Sequence, residues 1–164
     1  LVTTALQNVK LAKTIFPDWI CRFYTSANID TSKLIGDNVE VVTGDDELPS
    51  CVWHFLVSDD ESVDAFLVRD IDDSFTEELY ESAETWIDSN EVFFVIKSQE
   101  DFMMPVMPGK WGMKSDDKTK MKQTILRFST RSIHITSDNL AMAFMWYYII
   151  PLSSSNTYAY IEEL

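Results

Sequence analysis

A chain of 164 residues with 46% hydrophobic content can bury one proper core, which predicts a single domain over residues 1–164. Thirteen basic against 27 acidic residues leave a net charge of −14, a field that opposes nucleic-acid backbones and anionic membrane surfaces as partners. An aromatic content of 13% argues against a disordered acidic tail.

Leu6, Val9, Ala12 and Ile15/Phe16 recur at helical spacing, and Pro17-Asp18 ends that helix. Trp19–Tyr24 reads as a strand, Thr31–Ile35 as a short helix and Val39–Thr43 as a second strand. Gly44–Ser50 is a turn-rich acidic loop, and the apolar run Cys51–Val57 fits either a helix or a strand. Val63–Arg69 is predicted to be a buried strand. Ser74-Phe75-Thr76-Glu77 has the form of a capping box opening a helix to about Asn90. Glu91–Lys97 is another strand, and Phe102–Met113, with two prolines and two glycines, reads as an irregular loop. Asp116–Phe128 is predicted helical and basic. Ser137 is predicted to cap a buried final helix up to Pro151, and Tyr158–Ile161 to add an edge strand. Strands alternating with helices indicate an α/β domain around a mostly parallel sheet. The apolar run Leu140–Leu152 falls short of the roughly 20 residues a bilayer span needs. No signal peptide is visible. Cys21 and Cys51 form no C-x-x-C pattern, which favours a reducing, cytoplasmic setting.

The chemistry concentrates where the Val63–Arg69 strand ends. Asp70 and Asp72 follow it at a spacing of two, and like-charged carboxylates resist joint ionisation without a cation between them. A hard divalent ion, with phosphate oxygens in its remaining positions, meets that need. The same residues fit other schemes less well. Asp70, Asp72, Ser74, Glu78 and Glu81 fall at the first, third, fifth, ninth and twelfth places of a calcium loop, but Phe75 stands where the sharp turn requires glycine. His54, in an aromatic run, reads as a core or edge histidine, and His134 as a half-buried strand histidine close to Asp138. Lys110, Lys114, Lys118, Lys120 and Lys122 form the basic cluster of an acidic chain, either a solvated face or a phosphate-steering patch.

Three segments occur in one order: LAKTIFPDWICRFY (Leu11–Tyr24), RDIDDS (Arg69–Ser74) and PVMPGKWG (Pro105–Gly112). Together they resemble a family of small glycosyltransferase-like proteins of GT-A fold, over roughly residues 5–152. A fourth, shorter match is SDNL at Ser137–Leu140. The resemblance implies a three-layer sandwich around a mostly parallel sheet. It implies a nucleotide-sugar donor whose diphosphate is held through Mn²⁺ or Mg²⁺ by Asp70 and Asp72, and transfer of the sugar to an acceptor hydroxyl. Arg69, Gly109, Lys110, Trp111 and Gly112 would line the donor, with Trp111 an apolar wall for the sugar. Asp138 and Asn139 would face the reacting carbon. Pro108 replaces the family's first loop glycine, Asn139 its glutamine, and a first strand would precede Leu1. These departures carry the competing expectation, a degenerate transferase fold kept as a binding module. An apolar strand followed by D-x-D is also the mark of haloacid-dehalogenase-type phosphatases, with Asp70 as nucleophile and Asp72 as general acid. That motif belongs on a first strand, whereas two predicted strands come earlier here.

Overall fold

The computed structural model of the protein describes residues 2–97, 105–115, 120–131 and 134–162. Helix α1 (Val2–Ile15) precedes β1 (Cys21–Thr25) and β2 (Val39–Thr43), and a 3₁₀ helix follows at Ser50–Asp59. Next come β3 (Ala65–Arg69), α2 (Glu77–Asp88), β4 (Phe93–Lys97), β5 (Lys110–Lys114) and α3 (Met121–Arg131). A 3₁₀ turn at Ser137–Asn139 opens a continuous helical stretch: α4 (Leu140–Phe144), a π segment (Met145–Ile149) and α5 (Ile150–Ser153). Strand β6 (Thr157–Ile161) closes the chain.

The class is α/β, but the sheets are mixed rather than mostly parallel. One sheet holds β1 and β2 in parallel; the other has the order β3-β5-β4-β6. In the second sheet β5 is antiparallel to both neighbours, and only β4 and β6 run parallel. The inversion comes from the segment expected to be an irregular loop. Lys110–Lys114 pairs along its length with Arg69–Ala65 and sits in the middle of the sheet. Its two glycines and two prolines argued against a strand, yet Pro105, Pro108 and Gly109 all precede β5, and Gly112 lies between Leu67 and Phe94. Residues 102–104 of that predicted loop lie outside the described residues, as do 116–119 of the predicted basic helix.

Alternation along the strands divides the core. Phe93 and Val95 of β4 face one apolar cluster with Phe66, Trp111 and Met113; Phe94 and Ile96 face another with Leu79, Ala83 and Trp86 of α2. A strand buried on both faces explains the unbroken FFVI run. Helices therefore cover the four-stranded sheet on both sides: the Ser50–Asp59 helix, α3 and α4 on the first face, α2 and the end of α1 on the second.

Several local expectations change for identifiable reasons. Thr31–Ile35 forms turns rather than a helix, since the Asp30 carboxylate accepts the Ser32 N–H at 3.0 Å and competes with helical bonding. Thr76, not Ser74, caps α2: its hydroxyl accepts the Leu79 N–H at 3.1 Å, so Glu77 lies in the first turn and no reciprocal box forms. Ser137 supplies no side-chain cap to the last helix. That helix is not buried all round, since Trp146 is 48% and Tyr147 67% exposed. Its π segment immediately precedes Ile150-Pro151, where proline lacks the N–H that would close the preceding turn. No described helix is long and apolar enough to cross a membrane.

Candidate functional site

Strand β3 ends at Arg69 because the chain turns at once: the Asp73 N–H donates to the Asp70 carbonyl at 3.1 Å. Asp70, Asp72 and Asp73 thus share one turn. Asn8 of α1 holds that turn, its amide donating to the carbonyls of Ile71 (2.6 Å) and Asp73 (3.3 Å). Asp70 and Asp72 are exposed, whereas Asp73 is half-buried.

Antiparallel pairing sets Lys110 directly opposite Arg69. The turn that feeds β5 closes with the Lys110 N–H donating to the Met107 carbonyl at 3.0 Å, which brings Gly109 against Asp70. A Cβ at Gly109 would stand 2.3 Å from Asp70 Oδ2, closer than any side chain tolerates. The RDIDDS and PGKWG segments, 40 residues apart at Asp70 and Lys110, therefore meet at one strand end.

Charge at this corner is partly balanced. Arg69, its side chain only 7% exposed, reaches Glu162 at 3.1 Å, Asp73 at 3.5 Å and the Ser74 carbonyl at 3.3 Å through Nη2. Lys110 Nζ lies 3.7 Å from the other oxygen of Glu162. Desolvation holds the Asp70 carboxyl above its ordinary range, Asp73 and Asp72 add to the shift, and Arg69 and Lys110 restrain it. Two exposed carboxylates with two cations alongside can accept a hard divalent ion and the anionic ligand it carries. Among the described residues there is no group of three or more His, Cys, Asp or Glu side chains placed to hold a metal by themselves.

Other expected members lie elsewhere. Trp111 is fully buried in the core against Phe55 and Phe66, at ring distances of 5.5 and 5.2 Å, so it cannot wall a sugar from this position. Its place opposite Val68 and Val95 puts it at the centre of the sheet. Gly112 is also internal, facing the Phe66 carbonyl. Asp138 sits in a separate depression with Asp46–Cys51 and Ser137, a group that does not include Asp70. The Asn139 amide donates to Thr136 Oγ1 at 3.1 Å. His134 is exposed on a turn, not half-buried on a strand.

The basic cluster disperses. Lys114 donates to the Ser89 carbonyl at 2.6 Å, Lys122 pairs with Asp45 and Glu47, and Lys118 lies outside the described residues. Lys110 alone of the described members belongs to the corner. Sequence reasoning missed Asp73, although it stands inside RDIDDS, and Glu162, which is 93 residues from Arg69 and carries no motif.

Beside the corner runs a cleft of about 860 Å³ between β1 and β3, with Arg69, Asp70 and His54 among its lining residues. Burial pushes the His54 pKa down to about 4, and its Nε2 is buried with no partner. The folded state therefore holds His54 neutral. Its stabilising contribution is complete above pH ~6.5 and is lost as pH falls toward about 4, a change of about 3 kcal/mol. Urea unfolding from pH 7.5 to pH 4 should show wild type losing that much more stability than His54→Phe. Parallel profiles would contradict a buried, neutral His54. Comparison with protein-family models, curated proteins and solved structures finds no match.

Proposed function

We propose that the protein is a metal-dependent glycosyltransferase of GT-A type that moves a sugar from a nucleotide-sugar donor to an acceptor hydroxyl. The observation that carries the reading is the convergence of Asp70 and Gly109, with Lys110 across from Arg69, at the end of β3. Ligands of open α/β sheets collect at such strand ends. Asp70 and Asp72 would hold Mn²⁺ or Mg²⁺. Their exposed, oxygen-only donor set suits a hard ion that keeps positions free for phosphate. When bound, the ion would stabilise the departing nucleoside diphosphate. Arg69 and Lys110 supply positive charge beside it, and Gly109 keeps the loop backbone close to the carboxylates. Asp138 and Asn139 have no assigned part in this proposal: Asp138 lines a depression whose walls do not include Asp70, and the Asn139 amide is engaged by Thr136.

Titration calorimetry of UDP and GDP, with and without Mn²⁺, tests the reading. Metal-dependent binding is expected, and Asp70→Ala/Asp72→Ala should weaken it at least about 100-fold, as loss of charged contacts to an ion requires. Gly109→Ala should weaken it at least about tenfold by displacing Asp70. It should change stability by less than about 1 kcal/mol, because the displaced group is an exposed side-chain end.

A second reading is a transferase fold retained as a binding module. It is favoured by Glu162, whose carboxylate already engages both Arg69 and Lys110 where an anionic ligand would otherwise do so. Under this reading a folded protein binds neither nucleotide, with or without metal.

A further inference from the structure

Arg69 and Lys110 stand directly opposite each other across the β3–β5 pair. Residues paired in this way point to one face of the sheet with Cβ atoms about 5 Å apart, and like charges there repel. The face is the one covered by α2: Ala65 and Leu67 of β3, Phe94 and Ile96 of β4, and Tyr158 and Tyr160 of β6 all pack with Leu79, Ala83 and Trp86. Alternation continues that face from Leu67 to Arg69 and from Tyr160 to Glu162. Strands β3 and β6 are the two outer strands of the sheet, so the Glu162 carboxylate approaches the cation pair from its far side.

Glu162 divides its carboxylate between the two cations. Oε1 lies 3.1 Å from Arg69 Nη2, and Oε2 lies 3.7 Å from Lys110 Nζ. A phosphoryl group offers the same chemistry, two anionic oxygens on one centre. The main chain of Glu162 is fixed, since its N–H donates to the Lys97 carbonyl at 2.8 Å and extends the β4–β6 ladder by one rung. Its side chain is 25% exposed, so it can turn outward to water while the backbone stays in place. Charge sets the sign of the effect. Arg69 and Lys110 already answer the carboxylates of Asp70, Asp72, Asp73 and Glu162, and an arriving anion meets Glu162 as a like charge on the oxygens' own position.

We infer that Glu162 is an internal competitor for a phosphoryl-binding position formed by Arg69 and Lys110, and that its side chain leaves when a phosphate or diphosphate binds there. The inference rests on the proposed transferase reading in taking the donor's diphosphate as the ligand; the position itself requires only a phosphoryl group. A carboxylate tethered beside the cations acts at high effective concentration. It therefore turns away a free phosphate that has no other contact, and yields to a diphosphate that is also held through a metal ion at Asp70 and Asp72. Selectivity of this kind comes from repelling the wrong ligand as much as from attracting the right one.

Calorimetric titration of inorganic pyrophosphate without metal, and of UDP with and without Mn²⁺, into wild type and Glu162→Gln tests the inference at low ionic strength. Urea unfolding of the same samples shows that each is folded. Glutamine keeps the length and one acceptor oxygen of Glu162 and removes its charge. Glu162→Gln is expected to bind pyrophosphate at least about tenfold more tightly than wild type, and Mn²⁺-dependent UDP in the same direction, as removal of a like charge from a binding position requires. Adding Lys110→Gln should abolish the gain. Glu162→Asp, whose shorter carboxylate cannot span both cations, should gain by a smaller factor, and it carries the test if the glutamine variant does not fold. A purely structural ion pair would lower the unfolding free energy and leave both affinities unmoved. Two results would overturn the inference: unchanged or weaker pyrophosphate binding by the folded variants, and a gain that persists with Lys110→Gln. If wild type still binds UDP through Mn²⁺ in those cases, the transferase reading stands without it. Tighter pyrophosphate binding with no Mn²⁺-dependent UDP binding in any variant supports the phosphoryl position and removes the transferase reading.

Discussion

Gly112→Ala is expected to lower the unfolding free energy by about 3 kcal/mol, the upper part of the range for overpacking a close-packed core. A Cβ at this position would stand 2.5 Å from the Phe66 carbonyl oxygen and 2.6 Å from Leu67 Cδ2. The leucine can move; the carbonyl cannot, because β3 and β5 are paired residue by residue from Ala65–Lys114 to Arg69–Lys110. Gly112 has no unusual backbone angle, so the requirement for glycine is one of space and not of conformation. The substitution separates the two glycines of the loop-and-strand segment. Gly109→Ala meets a carboxylate at the surface, and Gly112→Ala meets backbone at the centre of a sheet. Chemical denaturation of both variants reads the difference directly. A Gly112→Ala protein as stable as wild type would mean that β5 does not lie between β3 and β4.

Trp111→Ala is expected to cost about 3–5 kcal/mol, the usual loss for truncating a buried aromatic side chain. Trp111 has no exposed surface and packs against Phe55 and Phe66. Its indole N–H is buried without a partner, a cost that a ring lacking the N–H removes. Trp111→Phe should therefore lose less than about 2 kcal/mol, since the smaller cavity is offset by relief of that orphaned donor. If Trp111 instead walled a sugar site, either change would alter ligand affinity with little effect on stability. Measuring urea unfolding and Mn²⁺-dependent nucleotide binding on the same samples distinguishes these outcomes. A stable Trp111→Ala protein would return the residue to the ligand.

Both results bear on the segment where sequence and structure part most widely. PVMPGKWG resembles a donor-binding loop, and its glycines and prolines support that reading. In the fold the segment divides at Lys110. Its first half makes the turn that sets Gly109 on Asp70, and its second half is the central strand, with Trp111 and Gly112 facing the two cores. Glycine inside a strand marks a close approach of backbones. Which backbone approaches depends on the partner strand.

The sequence by itself determined the local elements whose cause is local. The spacing Leu6, Val9, Ala12, Ile15 places α1, and Pro17 ends it. Apolar runs bounded by turn residues place β1, β2, β3 and β4 to within a few residues. The aspartates after β3 were readable as a strand-end cluster because they are neighbours in the chain. Tertiary structure alone decided what depends on pairing and distance. The antiparallel insertion of β5, the burial of Trp111, the separation of Asp138 from Asp70 and the arrival of Glu162 at Arg69 and Lys110 follow from which strand edges meet. Backbone hydrogen bonds between strands carry no residue identity, so no pattern in one strand names its partner.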